Sequence, residues 1–225
     1  MPTLPAAPLL REVAQQAPAK SSSRQKFRDE AIALIESGSL AEPAFSFSIT
    51  DLEGPAAETL RAGGESFYAP MLLPRSGRLT ALACGVATIG MRLEERVGAL
   101  FRERSVSLAL ALDEVANELL FAVSRRLQDR MLLTAQRSGL TLAGELRPGD
   151  PGLALNAQLG VLRLAGADSI GVAVFGGHML NPIKSVSMMF GAGVDLPAVR
   201  WSRCDACSSR ATCKIVAREP EMANA

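Results

Sequence analysis

A chain of 225 residues suits one large domain or one domain plus an N-terminal extension, and its 48% of apolar side chains is enough for a substantial core, which sets disorder aside. The 24 basic and 23 acidic side chains nearly cancel, so charge gives no footprint for nucleic acid or an anionic membrane surface. No stretch approaches the roughly 18 to 20 continuous apolar residues of a spanning helix, and the opening MPTLPAAPLLREVAQQAPAK lacks a basic leader with an apolar centre. The expected compartment is therefore the cytoplasm.

Residues 1–23 are rich in Pro, Ala, Gln and Ser without a sustained period and read as a mobile N-terminal arm. From Gln25 to Ser37 the spacing of Phe27, Ala31, Leu34 and Ile35 predicts a helix, with Gly38 as its stop signal. The pattern then weakens; a short strand is expected near Phe45–Ile49 and a short helix over Pro55–Ala62. Leu79 to Val86 is a small, apolar run expected as a strand, closed at Thr88-Ile89-Gly90. A helix follows from Arg92 to Glu103, with Leu93, Val97, Leu100 and Phe101 inward. The longest element runs from Leu108 to about Ser138, because Leu112, Val115, Ala116, Leu119, Leu120, Val123, Leu127 and Met131 keep helical spacing.

Past Gly139 the texture changes. Leu140–Leu146 alternates, residues 147–152 hold two prolines and two glycines, and Leu155–Ala165 predicts another helix. Ile170–Phe175 reads as a buried strand and Ser185–Gly191 as another. Interleaved helices and strands of irregular spacing predict a mixed α/β or α+β domain over residues 24–218, with 219–225 as a tail.

Three segments could carry chemistry. The turn Glu145-Leu-Arg-Pro-Gly-Asp150 leaves a strand through a Pro-Gly step, where exposed amides and a missing side chain at Gly149 would admit a ligand closely. A plain tight connection is the other reading, and the commoner one. In Asn181-Pro-Ile-Lys-Ser-Val186, Lys184 and Ser185 stand where a Pro-started segment enters an apolar strand. They could hold a carboxylate, a phosphate or a cofactor side chain, or form a solvated strand edge. Lastly, Cys204-x2-Cys207-x5-Cys213 has the crowding of a zinc or iron–sulfur site. Cys84 is a possible fourth ligand, although a cysteine in an apolar run is more often a small hydrophobe. His178 is the only histidine, so multi-histidine metal sites are excluded, and neither a nucleophile elbow nor a dinucleotide fingerprint is present.

Taken in order, several pieces resemble one family. They are Ala87-Thr-Ile-Gly90 followed by Leu93-Glu-Glu-Arg-Val97, Leu112-Asp-Glu-Val-Ala116, Arg147-Pro-Gly149 with Gln158 downstream, Met179, Pro182-Ile-Lys-Ser-Val186, Gly191 and the cysteine trio. From about residue 27 to 216 the chain resembles the activation domain of cobalamin-dependent methionine synthase, in a short free-standing form. The resemblance implies an α+β fold: a C-shaped mixed domain with a bent, largely antiparallel sheet flanked by helices. It also implies S-adenosylmethionine bound near Arg147, Pro148, Gly149, Lys184 and Ser185, with cobalamin carried by a partner methyltransferase subunit.

The implied role is a stand-alone reactivation subunit, supporting reductive methylation of inactive cob(II)alamin with electrons from a flavodoxin- or ferredoxin-like donor. Cys204, Cys207 and Cys213 would then hold an iron–sulfur cluster or zinc. The alternative is an iron–sulfur electron-transfer or docking protein for another corrinoid methyltransferase, such as one in a demethylation system. The family motif has an arginine three residues before the Pro-Gly step and a tyrosine just after it; here Glu145 and Asp150 stand there. Arg147 is the candidate replacement, since residues two apart on a strand face the same side.

Overall fold

The computed structural model describes residues 3–15 and 21–197. Its centre is a four-stranded, fully antiparallel sheet between two unequal helical layers, so the fold is α+β as expected.

The chain begins with a helix where an arm was expected. α1 (Ala6–Ala14) buries Leu9, Leu10 and Val13, a stripe too short for periodicity to reveal in a Pro- and Ala-rich segment. Its last carbonyls are capped from outside: Arg28 donates from Nη2 to the Val13 carbonyl at 2.8 Å and also binds both carboxylate oxygens of Glu118. α2 (Ser22–Gly38) starts at Ser21, whose Oγ accepts from the Arg24 amide, and stops with Ser39 in the left-handed region. It buries Ala31 and Ile35, while Phe27 and Leu34 are half-buried at the margin.

β1 (Ala44–Asp51) contains the expected strand. Residues 55–62 do not form a helix. Instead β2 (Thr59–Ala62) pairs with β3 (Glu65–Tyr68) across Gly63-Gly64, both at positive φ. Two such residues make the tight hairpin turn that only glycine adopts freely, and Leu60, Ala62 and Phe67 face inward. β4 (Arg78–Thr88) follows, then α3 (Arg92–Arg102) and the 32-residue α4 (Val106–Arg137). Phe101 of α3 is not inward: it is 44% exposed, because the stripe Leu93, Val97, Leu100 already fills the contact and Phe101 lies past its edge.

β5 (Thr141–Leu146) leads through the Pro-Gly turn to α5 (Gln158–Ala165). The run expected as a buried strand over Ile170–Phe175 divides instead into a 3₁₀ turn at Ala167–Ile170, the buried Val172, and an exposed strand β6 (Ala173–Phe175). Among the described residues β6 pairs with β7 (Met179–Asn181) and not with the main sheet; Val174 packs toward the core while Ala173 and Phe175 are exposed. β8 (Ser185–Val194) closes the order β1-β4-β8-β5.

α1 to α4 pack on one face of the sheet, and α5 with the β2–β3 hairpin packs on the other. β4 is buried on both, which is why it reads as a continuous apolar run. Its α4 face carries Ala83, Gly85 and Ala87, and its α5 face Leu82, Cys84 and Val86. The small residues let α4 come close: a Cβ on Gly85 would stand 2.9 Å from Met131 Sδ.

Candidate functional site

Strand register decides which polar residues meet. Ala44 pairs with Thr88, Thr88 with Ser185, and Leu146 with Met189. The Pro-Gly turn after β5 and the polar start of β8 are therefore at the same end of the sheet. Alternation then separates them. Lys184 points to α4, whereas Ser185 and Ser187 share the α5 face with Met189.

At the turn, Arg147 and Glu145 do face the same side, and they pair with each other. Arg147 Nε donates to Glu145 Oε1 at 2.9 Å and Nη2 lies 2.8 Å from the same oxygen, while Gln128 of α4 donates to Oε2 at 3.2 Å. The side chains are only 16% and 23% exposed. The turn's amides, expected to be open, are used internally: Arg147 N donates to Asp150 Oδ2, Asp150 N to the Arg147 carbonyl, and Gly149 N to the Leu153 carbonyl. A short loop that must close on itself consumes its own donors. Gly149 is at φ 96°, and a Cβ there would meet only Leu155 Cδ1, at 3.6 Å. Close approach is thus open at this residue. Met71, Leu155 and Leu159 are exposed, Leu155 beside Gly149 and Met71 against Gly152.

Lys184 is held inside the protein. Its Nζ lies 2.6 Å from Asp113 Oδ1 and donates to Asn117 Oδ1 at 2.7 Å, both on α4. Ser185 Oγ donates to Thr88 Oγ1 at 2.8 Å on the other face, and Gln158 Nε2 donates to Ser187 Oγ at 2.7 Å in a fully buried pair. Of the residues singled out in the sequence, Arg147, Pro148 and Gly149 come together; Lys184 and Ser185 share their end of the sheet without joining them. Asp113, Asn117 and Gln128 were missed. Their only signal was polarity at the margin of a helical stripe, with Asp113 and Asn117 four residues apart.

A pocket of about 400 Å³ opens at the opposite edge of the same sheet end, lined among others by Leu4, Glu42, Thr88, Gly90 and Ile170. It adjoins Ser185's partner and not the Pro-Gly turn. Cys204, Cys207 and Cys213 lie outside the described residues. Among the described residues no group of three His, Cys, Asp or Glu side chains could hold a metal. Cys84 belongs to the apolar core, and burial pushes its thiol up to about 12, which keeps it protonated and unsuited to bind a metal. His178 sits between β6 and β7, its Nδ1 enclosed with no hydrogen-bond partner among the described residues. No helix of the described residues is long and apolar enough to cross a membrane.

No protein-family model matches the chain, and no curated protein sequence does. Among solved structures, a crystal structure of the MetH reactivation domain bound to AdoHcy is similar, with a TM-score of 0.62 at 10% identity over 88% of this chain and 79% of that one. The chain has that domain's fold.

Proposed function

We propose that the chain is a stand-alone reactivation subunit of a cobalamin-dependent methionine synthase. It docks on the cobalamin-carrying subunit and holds an adenosyl ligand, S-adenosylmethionine or its product S-adenosylhomocysteine (AdoHcy), at the turn after β5. The observation that carries this reading is the shared fold with a domain bound to AdoHcy, over 88% of the chain. Reducing equivalents come from a flavodoxin- or ferredoxin-like donor, with Cys204, Cys207 and Cys213 as ligands for an iron–sulfur cluster or zinc.

The residues at the turn fit the adenosyl part of such a ligand. Leu155 and Leu159 are one helical turn apart and exposed, Met71 is close by, and Gly149 leaves the approach unobstructed. Together they offer an apolar platform for a purine face. The buried Gln158–Ser187 bond fixes α5 on β8 and so fixes that platform, while the Gln128–Glu145–Arg147 chain fixes the end of β5. The amino-acid end of the ligand fits less well, because the turn's donors are already engaged. S-adenosylmethionine supplies the methyl group when bound; the protein's part is to orient it and to exclude water.

Isothermal titration tests the site. Saturable binding of S-adenosylmethionine is expected, weakened about tenfold or more by Leu155→Asp with an unchanged melting temperature, since Leu155 is a surface residue. Equal affinities in the two proteins would remove the turn as the site. One observation favours a second reading, a docking or electron-transfer protein for another corrinoid methyltransferase: the cation expected to hold the ligand's carboxylate is already neutralised by Glu145.

A further inference from the structure

Arg147 presents its guanidinium to a carboxylate supplied by its own chain. The edge formed by Nε and Nη2 is the one that matches a carboxylate best, and Glu145 Oε1 lies on that edge, 2.9 Å from Nε and 2.8 Å from Nη2. The second oxygen of Glu145 is satisfied by Gln128, so the carboxylate is fixed from two elements and has no reason to leave. On the other side Asp150 accepts the backbone amide of Arg147 at 2.9 Å.

A ligand carboxylate arriving here must either break both partnerships of Glu145 or settle as a second anion beside Glu145, in a setting partly shielded from water. Neither rewards it. A ligand without a carboxylate meets no such obstacle, and the apolar platform of Leu155, Leu159 and Met71 remains available to it.

Resting on the adenosyl-ligand reading above, we propose that Glu145 is a specificity-determining residue. It occupies the place on Arg147 that an α-carboxylate would need, so the site takes adenosyl ligands without gaining affinity from their amino-acid end.

Two probes separate the parts: S-adenosylhomocysteine, which has the amino-acid end, and 5′-methylthioadenosine, which lacks it. Each is titrated calorimetrically into the wild-type chain and into Glu145→Gln, which keeps the shape and the hydrogen-bonding oxygen but removes the charge. Glu145→Ala serves as a second variant, and circular-dichroism melts check the fold of both. The wild type should bind the two probes within about threefold of each other. Glu145→Ala, which vacates the Nε–Nη2 edge of Arg147, should bind S-adenosylhomocysteine about tenfold tighter and methylthioadenosine unchanged, and Glu145→Gln, which removes the charge alone, should shift in the same direction by less. If the wild type already prefers S-adenosylhomocysteine by about tenfold, or if the variants change both probes alike, the role given to Glu145 is wrong while the adenosyl site stands. If neither probe binds any of the proteins, the adenosyl-site reading itself fails and takes this inference with it.

Discussion

Leu10→Ala distinguishes a docked first helix from a loose arm. Leu10 is 2% exposed and packs with Leu9 and Val13 into the core shared by α2 and α4. Truncating a buried leucine costs about 2–5 kcal/mol, the lost transfer free energy plus a cavity term. Here the lower half of that range applies. α1 has nine residues and lies near the chain end, and once the loss exceeds the free energy holding it down, the helix detaches and the cost stops growing. A loss of about 2–3 kcal/mol, at a urea slope of about 2–3 kcal/mol/M, moves the unfolding midpoint down by about 1 M. Ala7→Ser, on the exposed side of the same helix, should move stability by less than about 0.5 kcal/mol. Urea titrations followed by far-ultraviolet circular dichroism measure both. Coincident midpoints for Leu10→Ala and wild type would refute the packing of α1 against α4.

Three further outcomes follow from the same structure. Arg28→Met strands Glu118 and the Val13 carbonyl, so it should cost about 3 kcal/mol; the double variant with Glu118→Met should be more stable than Arg28→Met alone, as a double-mutant cycle in urea would register. Burial raises the Cys84 thiol from its ordinary 9.0 to about 12. The unfolded chain then sheds this proton first as pH rises, so the contribution is whole below about pH 9 and lost between 9 and 12, by at most about 1.4 kcal/mol per pH unit. Denaturation midpoints across that window should fall less steeply in Cys84→Ala than in wild type. Glu65 titrates below its ordinary 4.5, first because Arg163 donates to its carboxylate. Its contribution is present above that value and lost as pH falls, but this surface pair is worth under about 1 kcal/mol; carbon-detected NMR should show the Glu65 titration move up in Arg163→Gln.

How much of this was legible in the sequence depended on the length of each signal. α4 was readable because Leu112 to Met131 repeat one face over more than five turns, and β4 because burial on both faces leaves a continuous apolar run. α1 offered only Leu9, Leu10 and Val13 among prolines and alanines, and β2 only Leu60 and Ala62. Two or three residues cannot establish a period. The Gly63-Gly64 pair was the signal for the hairpin, and the helix expected over Pro55–Ala62 ignored it. At the site, the shared side of Glu145 and Arg147 was predictable from strand geometry. Their mutual pairing was predictable too, since opposite charges two apart on one face meet. The engagement of Lys184 by Asp113 and Asn117 was not, because it depends on α4 crossing the sheet at that point.

The central claim is tested most directly by reactivation itself. A cobalamin-loaded methionine synthase subunit, oxidised to the cob(II)alamin state, is mixed without oxygen with S-adenosylmethionine and a reduced flavodoxin, and its visible spectrum is followed with and without this chain. The account predicts conversion to the methylcobalamin spectrum only when the chain is present. The same spectrum with and without the chain would contradict it.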